Sequence, residues 1–260
     1  MTRFLRTDAV AVGAVLASAL LSTTPAAIGD SGDSGVSVAS GDSGSAFAST
    51  DPGIVVYPGM EIRQQSTVCT LGFVDPVLRV GFSAGHCDRG AAVTDRDGRP
   101  VGVVSGSRDN TPDGAVVRTD QVISDYETID LAPGVVIRDI LPGGRQLLGG
   151  PAPALAPGQP ICHFGVVTGE TCGTIERVNN GWFTMANGVV SQKGDSGGPV
   201  YILTDNGRAV LVGLFNSTWG NLPAAVSWQA TGQQLRQDAI VGAAAAAAKP
   251  IVDVAAAFAP

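Results

Sequence analysis

Short apolar runs follow one another along the chain from Ile54 onward, and Gly, Pro, Asn and Asp separate them. β-Branched residues are frequent within the runs, and turn signals recur between them. The runs cover residues 54–57, 68–74, 77–83, 101–104, 115–117, 134–137, 174–178, 181–185 and 209–215. This spacing is typical of a β-sandwich or of β-barrels.

A helical pattern stands near the carboxyl end, at residues 231–248. Leu235, Ile240 and Val241 lie there among good helix formers. The composition agrees with a mainly β body, because the 260 residues include 35 Gly and 16 Pro and only 15% are charged. A helical bundle would contain more Glu, Lys and Leu and less Gly. The sequence therefore predicts an all-β protein with one C-terminal helix.

The first residues predict export from the cell. Basic side chains precede an apolar run at residues 9–21, and small residues follow it, which is the pattern of a secretory signal peptide at 1–27. A membrane anchor is the alternative, but the run is shorter than the roughly 20 apolar residues that a span needs. We therefore expect a secreted protein, extracellular or associated with the cell envelope, with no stable membrane insertion after signal removal.

The rest of the chain divides into a lead, a folded domain and a tail. Residues 28–52 are rich in Gly, Ser and Asp, and we expect a flexible lead or a short pro-segment there. Residues 53–242 contain the predicted strands and are long enough for one large core or two small ones. Residues 243–260 are Ala-rich and are predicted to continue the helix and then fray.

The charge balance argues against two classes of partner. The chain has 16 Lys and Arg against 23 Asp and Glu, a net charge of -7. Such a chain has no large basic surface to neutralise a run of phosphates, so neither nucleic acid nor an anionic membrane is expected as a partner. We expect a monomer.

Four cysteines are present in the chain. In an exported protein an even number predicts disulfides, and four cysteines allow three pairings. Proximity favours Cys69 with Cys87 and Cys162 with Cys172, because each bond then closes a short loop. A zinc site is the alternative, but the chain has no Cys-x-x-Cys and only two His. No metal or other cofactor is predicted.

The tetrapeptide Gly-Asp-Ser-Gly occurs four times. The copies at 29–32, 32–35 and 41–44 lie in the polar lead, where nothing could hold a serine rigidly, and we interpret them as linker. The copy at 194–197 leads directly into an apolar run. Glycines on both sides of Ser196 permit a sharp turn that exposes the hydroxyl and points two N–H groups at one spot. Ser196 is therefore the candidate nucleophile.

A histidine base must be His86 or His163, since the chain has no other. His86 ends an apolar run, and its neighbour Cys87 is a predicted disulfide half that would fix the loop. Ser-Ala-Gly-His-Cys at 83–87, followed by Gly-Asp-Ser-Gly-Gly-Pro at 194–199, resembles the chymotrypsin (trypsin-like) family of serine proteases.

The segment at 162–175 is similar to the second disulfide loop of the secreted bacterial branch of that family, which includes α-lytic protease and the streptogrisins. The resemblance covers about residues 54–242. It implies two six-stranded antiparallel Greek-key β-barrels, with a junction near 138–150 and the active site in the cleft between them. It also implies a serine endopeptidase that cleaves a polypeptide substrate through an acyl-enzyme intermediate.

In this family a Ser, a His and a buried Asp act together, and the resemblance assigns the first two roles to the Ser and His of these motifs. Asp113 is preferred as the acid, because the run at 113–118 resembles the triad-Asp segment of the bacterial branch. Asp125 is the alternative, although Glu127 and Thr128 then break the apolar pattern. In a third interpretation, Asp113 merely opens a turn after the preceding Pro.

The resemblance implies further site residues. The backbone N–H groups of Gly194 and Ser196 would form the oxyanion hole. The segment at 211–220 resembles the strand that lines the substrate site. A strict register places Asn216 where the family has the Ser that bonds the triad Asp, with Ser217 beside it.

Two positions depart from the family pattern. His163 stands where bacterial relatives usually have an Arg that can approach the Asp before the nucleophile, here Asp195. We hypothesise that protonated His163 pairs with Asp195 and supports the oxyanion loop; the alternative is a solvent-exposed loop histidine.

The pocket floor should lie near Val190, and the lack of an acid there favours small or medium apolar substrate side chains over Lys or Arg. Three tryptophans either line the cleft or belong to the core: Trp182, Trp219 and Trp228.

Two other functions share parts of this pattern. A catalytically weak or inactive member would keep the fold as a binding protein, although such relatives commonly lose the His or the Ser, and both are present here. A serine esterase uses the same acyl transfer, but it more often shows Gly-x-Ser-x-Gly with the His last in the chain. The order in this chain is His, Asp, Ser.

Overall fold

The computed structural model describes residues 53–90, 92–112 and 117–247, and of residues 243–247 it describes the backbone alone. These parts of the chain form sixteen β-strands, one turn of 3₁₀ helix and one α-helix. The predicted class, all-β with a C-terminal helix, is confirmed. The signal peptide predicted at 1–27 and the lead predicted at 28–52 lie outside the described residues.

The strands are numbered in chain order. The first nine are β1 (Val55–Val56), β2 (Glu61–Gln64), β3 (Thr67–Thr70), β4 (Phe73–Asp75), β5 (Val80–Ser83), β6 (Ala92–Thr94), β7 (Pro100–Asp109), β8 (Asp125–Leu131) and β9 (Val136–Ile137). The remaining elements are β10 (Leu147–Leu148), β11 (Pro160–Gly165), β12 (Gly169–Val178), β13 (Trp182–Ala186), β14 (Pro199–Leu203), β15 (Ala209–Trp219), β16 (Leu222–Ser227) and α1 (Trp228–Ala247).

The first sheet has the strand order β3, β2, β6, β7, β8, β5, β4, and neighbouring strands are antiparallel. Only Leu71 and Gly72 separate β3 from β4, so the two outermost strands are halves of one bent strand and the sheet returns on itself. A Cβ at position 72 would collide with the carbonyl oxygen of Gly197 and with Leu214. Because residue 72 is a glycine, the bend can contact the second sheet. If β3 and β4 are counted as one bent strand, the first sheet has six strand positions.

Six strands of the second sheet close a barrel. Their order is β15, β14, β11, β12, β13, β16, and β16 pairs back to β15. Inward side chains such as Phe183, Met185, Val200 and Phe215 are buried almost completely. Burial of such side chains supplies about 1.5–3 kcal/mol each, and the barrel forms around this apolar core. The chain passes from the first sheet to the second between β9 and β10.

The predicted helix is present, and it begins three residues earlier than the pattern at 231–248 predicts. Its first residue, Trp228, packs edge-on against Phe73 and Phe82, with ring centroids 5.4 and 5.1 Å apart. No helix in the described part of the chain is long and apolar enough to cross a membrane. The predicted tail lies outside the described residues from position 248 onward.

The helix is also attached to the first sheet, although it follows the second in the chain. Asp238 accepts a hydrogen bond from Arg108 Nη2 at 2.6 Å, a second from the hydroxyl of Tyr126, and a third from Gln234 Nε2 at 2.9 Å. Burial and the contact with Asp238 raise the pKa of Tyr126 to about 12. Helix α1 is therefore hydrogen-bonded to both β7 and β8 through Asp238 and stabilises these two strands.

Several of the predicted apolar runs are not strands throughout, among them those at 77–83 and 115–117. The run at 77–83 begins with a turn, in which Val77 and Leu78 are 87% and 69% exposed. Asp75 Oδ1 accepts the N–H groups of both residues at 2.9 Å, which fixes the turn before β5. Of the run at 115–117, the first two positions lie outside the described residues, and Val117 is not in a strand.

Candidate active site

His86 lies in the 3₁₀ turn that follows β5. Cys69 and Cys87 form a disulfide, as proximity predicts, and this bond fastens the turn to the end of β3. A Cβ at Gly85 would collide with the carbonyl groups of Arg108 and Tyr126. The small residue before His86 therefore lets the turn sit directly on the backbone of β7 and β8.

Asp125, the first residue of β8, holds His86 at two atoms. Its Oδ2 lies 2.9 Å from His86 Nδ1, and its Oδ1 accepts the backbone N–H of His86 at 2.9 Å. Asp125 is completely buried, whereas His86 keeps 31% of its side chain exposed. Burial alone lowers the pKa of His86, but the hydrogen bond and the charge of Asp125 outweigh it, and the pKa is raised above 6.5.

The acid beside His86 is thus the alternative of the sequence analysis and not the preferred Asp113. Asp113 itself lies outside the described residues. Nδ1 of an imidazole carries one hydrogen, and the carboxylate of Asp125 already accepts it. The hydrogen-bonding position that a triad acid must occupy is taken by Asp125, so the geometry favours Asp125 over Asp113.

Asn216 on β15 connects this pair to the second barrel. Its Nδ2 donates to Asp125 Oδ2 at 2.6 Å and to Thr111 Oγ1 at 2.9 Å. The register expected from the resemblance, with Asn216 against the acid, agrees with this geometry when the acid is Asp125. Ser217 donates through its hydroxyl to Asn216 Oδ1 at 2.6 Å, so it orients the amide and does not itself reach Asp125.

Ser196 faces the same strand. Its Oγ donates to the backbone carbonyl of Asn216 at 3.4 Å, and within the described residues it makes no hydrogen bond to His86. Hydrogen bonds of this kind are often long or misaligned in enzymes without substrate, so the observed rotamer is compatible with a nucleophile.

The turn that carries Ser196 is fastened to the first barrel. Thr70 donates its N–H to the carbonyl of Ser196 at 2.8 Å and its hydroxyl to the carbonyl of Gly194 at 2.9 Å. Gly197 has a φ of 82°, and a Cβ there would collide with Ser83 Oγ and Ala84 N. The glycine after Ser196 therefore lets the turn lie against the segment that leads to His86.

The two backbone N–H groups predicted for the oxyanion hole are unpaired within the described part of the chain. Neither the N–H of Gly194 nor that of Ser196 donates a hydrogen bond to any described residue. Gly194 has a φ of 108°, a conformation that favours glycine.

Asp195 supports this turn, but through donors that the sequence analysis did not predict. Its carboxylate is completely buried and accepts the N–H groups of Val167, Thr168 and Gln192 at 2.9, 3.2 and 2.7 Å. The hydroxyl of Thr168 donates a fourth hydrogen bond at 2.9 Å. A buried carboxylate with several backbone donors is stable without a cationic partner.

Both interpretations of His163 are wrong. The side chain is completely buried, so it is not an exposed loop histidine. Neither ring nitrogen has a hydrogen-bond partner among the described residues, and the ring packs on Phe215 with centroids 4.6 Å apart. Burial outweighs the attraction of Asp195 and lowers the pKa of His163 to about 4. His163 is therefore a neutral core residue and not the charged support of Asp195.

The predicted specificity residue Val190 lies at the surface, with 54% of its area exposed. Its N–H and its carbonyl both lie 3.3 Å from Thr171 Oγ1. The hydroxyls of Ser191 and Thr218 lie 3.2 Å apart and join this segment to the end of β15. Trp182 and Trp219 are buried, and all three tryptophans pack against other aromatic rings.

Sequence reasoning missed two buried polar residues beside His86. Gln64 and Glu127 are 2% and 0% exposed and hydrogen bond to each other. Glu127 was treated as a break in an apolar run, yet the strand around it is buried at Asp125, Tyr126, Glu127 and Ile129. The β-branched and aromatic residues around Asp125 and Glu127 were the signal in the sequence that could have predicted a buried strand there.

The second predicted disulfide, Cys162 to Cys172, is also present and joins directly opposed positions of β11 and β12. A closed six-stranded barrel, a first sheet that bends back on itself and one C-terminal helix define the class of fold, which is that of the chymotrypsin-like serine proteases. The chain belongs to the same family as the uncharacterized protein Rv1815 of Mycobacterium tuberculosis H37Rv. The two are 58% identical over 190 residues, which is 73% of this chain and 86% of the relative.

Other comparisons give the following similarities. The uncharacterized protein MT1863 of M. tuberculosis CDC 1551 matches with the same identity and coverage. Among solved structures, Cellulomonas bogoriensis chymotrypsin and Thermobifida fusca protease A are each 19% identical, with TM-scores of 0.47 and 0.46. In both cases the match covers 67% of this chain and 91% of the other. No family model matches the chain.

Proposed function

We propose that this protein is a secreted serine endopeptidase that uses Ser196 as nucleophile, His86 as base and Asp125 as the acid. The observation that carries the proposal is the double hold of the buried Asp125 on His86, at Nδ1 and at the backbone N–H. A purely structural carboxylate needs neither a half-exposed imidazole nor a serine in a strained turn beside it.

In the proposed reaction, His86 Nε2 takes the proton of the Ser196 hydroxyl as the oxygen attacks the carbonyl carbon of a peptide bond. Asp125 keeps the hydrogen on Nδ1 and stabilises the imidazolium that forms. The N–H groups of Gly194 and Ser196 bind the oxygen that becomes negative. His86 then returns the proton to the leaving amine, and water hydrolyses the acyl-enzyme by the same route.

Two features support an extracellular setting for this activity. Both disulfides persist in oxidising compartments, and the amino-terminal pattern at 1–27 is that of a signal peptide. In the proposal the substrate is a polypeptide, the protein acts as a monomer, and no cofactor takes part.

A second candidate function is a protease-like binding protein with weak or no activity. The observation that favours it is the hydrogen bond of Ser196 Oγ to the carbonyl of Asn216 in place of one to His86. A serine that stayed in this rotamer would not be activated.

Labelling with a fluorophosphonate decides between the two, because the reagent requires an activated serine and no knowledge of the substrate. We expect the wild-type protein to be labelled and Ser196→Ala to be unlabelled. Asp125→Asn should reduce the labelling rate by about 10⁴-fold. Asp113→Asn serves as the matched control and should label at close to the wild-type rate.

Two results would overturn the proposal. Wild-type protein with both disulfides formed that took no label between pH 5 and 9 would favour the binding protein. Labelling that survived Asp125→Asn and was lost in Asp113→Asn would restore the original preference for the acid.

A further inference from the structure

Three valine side chains surround one face of Gly194, whose N–H is one of the two proposed oxyanion donors. A Cβ at Gly194 would lie 2.8 Å from Val167 Cγ2, 3.7 Å from Val68 Cγ1 and 4.0 Å from Val166 Cγ1. Val167 is 49% exposed, and Val68 and Val166 are partly exposed. We call these three residues the valine wall. Exposed apolar side chains that are grouped at one place are typical of a surface that contacts a ligand.

The hydrogen-bond donors around the valine wall are already used within the protein. Val166 donates its N–H to Thr70 Oγ1 at 3.0 Å, and Val167 and Thr168 donate theirs to the buried carboxylate of Asp195. The hydroxyl of Thr168 also donates to Asp195, at 2.9 Å. Because these donors are satisfied, the wall offers a ligand its methyl groups and favours an apolar partner.

The backbone that carries the valine wall is fastened at both of its parts. Residues 166–168 join β11 to β12, and a disulfide links these two strands. Val68 lies on β3 beside Cys69, whose disulfide holds the His86 turn. The side chain of a valine is also stiff, because it is branched at Cβ. An apolar group can therefore bind here without a large cost for ordering the protein.

The proposed reaction determines which part of a substrate meets the valine wall. His86 gives its proton to the leaving amine, so the leaving part of the substrate begins beside His86. A disulfide ties the His86 turn to β3, the strand of Val68. The acyl part stays on Ser196, on the side of β15, where the carbonyl of Asn216 accepts the Ser196 hydroxyl. The wall therefore faces the residues that follow the scissile bond.

We propose that the valine wall selects polypeptides with an apolar residue at the first or second position after the scissile bond. An extended chain advances about 3.3 Å per residue, so the residues nearest the carbonyl group bound by Gly194 reach the wall and later ones lie beyond it. The inference rests on the proposed function and adds a substrate class to that site. Val68, Val166 and Val167 are specificity-determining residues in this arrangement and take no part in the proton transfers.

Cleavage of a mixture of synthetic peptides by the full-length protein tests the inference. The mixture contains every pair of neighbouring residues, and mass spectrometry identifies the residues on both sides of each cut bond. The initial yield at bonds followed by Leu, Ile, Val or Phe is divided by the yield at bonds followed by Gly, Ser or Asn in the same sample. A variant that is only less active leaves this ratio unchanged, because both yields fall together.

We expect the wild-type protein to favour apolar residues about 10-fold at one of the two positions. Val167→Thr and Val68→Thr keep the shape of the side chain and replace a methyl group by a hydroxyl, so each should reduce the ratio severalfold. Val167→Asp should abolish the preference and favour Lys or Arg, because the new carboxylate attracts a cation. Val178→Asp is the matched control and should keep the wild-type ratio. Val178 is 40% exposed at the other end of β12, about 30 Å from the turn.

Equal yields before apolar and polar residues would overturn the inference, and so would an apolar preference that survives all three variants of the wall. A preference for Asp or Glu would assign this surface to Lys193, the exposed neighbour of Gly194, and would overturn it too. A protein that takes the fluorophosphonate and cleaves peptides without the apolar preference fails here alone. A protein that takes no fluorophosphonate fails in the proposed function, and the selection by the wall is rejected with it.

Discussion

Gln64 donates its side-chain amide to both carboxyl oxygens of Glu127, at 2.8 Å each, and both side chains are buried. The carbonyl oxygen of the same Gln64 accepts the N–H of Arg89 at 3.0 Å, three residues after His86. The pair thus links β2 and β8 to the loop that carries the imidazole. Glu127 is a positioning residue in this arrangement, since it acts through Gln64.

The first prediction concerns the pH dependence of stability. Burial raises the pKa of Glu127 from 4.5 to about 8, and the hydrogen bond from Gln64 only partly opposes this. The folded protein therefore retains a proton that the unfolded chain loses at lower pH. The contribution of Glu127 to the free energy of unfolding should fall as the pH rises from about 4.5 to about 8 and stay level above that.

Glu127→Gln should remove this decline, because an amide does not titrate. Urea unfolding at pH 5, 7 and 9 measures it: wild type should lose stability relative to Glu127→Gln across the series, on the order of a few kcal/mol. Glu176→Gln, an exposed position on β12, is the control and should follow wild type. A constant difference between wild type and Glu127→Gln at all three pH values would contradict the pKa assignment.

The second prediction concerns the acidic limb of activity. His86 must be neutral to take a proton, and Asp125 raises the pKa of His86 against the effect of burial. The rate of fluorophosphonate labelling should therefore rise with pH through a midpoint above 6.5. In Asp125→Asn the midpoint should move down, because burial remains and the attraction is lost. A midpoint that does not move would separate Asp125 from the titration of His86.

The third prediction concerns the turn that carries Ser196. Thr70 Oγ1 donates to the carbonyl of Gly194 and accepts the N–H of Val166 at 3.0 Å. Thr70→Val keeps the shape and removes both bonds, so we expect a loss of about 1–3 kcal/mol of stability and a slower labelling rate. Thr67→Val on the same strand is the control. An unchanged labelling rate in Thr70→Val would show that the oxyanion turn is held by its other contacts.

The fourth prediction concerns acid stability. The pKa of His163 is lowered to about 4 by burial, so the unfolded chain takes up a proton below about 6.5 that the folded protein excludes. Stability should be lost as the pH falls from 6.5 toward 4, and His163→Leu should reduce that loss. His86→Leu provides the contrast, because the pKa of His86 is raised and its contribution to stability changes only above about pH 6.5. If His86→Leu reduced the loss of stability between pH 6.5 and 4 as His163→Leu does, these pKa directions would be contradicted.

Local motifs made both disulfides predictable, because each depends on residues close together in the chain. The contact of Asp125 with His86 did not follow from local pattern. The run at 113–118 matched the family better, whereas β8 combines Asp125 and Glu127 with apolar neighbours. Strand patterns assume that polar residues face water; here both acids are buried and bonded to His86 and Gln64.

The role of His163 was mistaken for a related reason. A charged partner for Asp195 was inferred from the family, but the backbone supplies Asp195 with three amide donors. Backbone donors leave no trace in a sequence. The closure of the first sheet was equally invisible, since it depends on the bend at Leu71 and Gly72 and not on a further strand.

The attachment of α1 to the first barrel affects the order of events during synthesis. A ribosome makes the chain from its amino terminus, so β7 and β8 emerge long before Asp238, which bonds Arg108 and Tyr126. Tyr126 is the neighbour of Asp125. The strand that holds His86 therefore obtains this support only when α1 has been made. A chain that lacks α1 would remain incompletely braced beside His86.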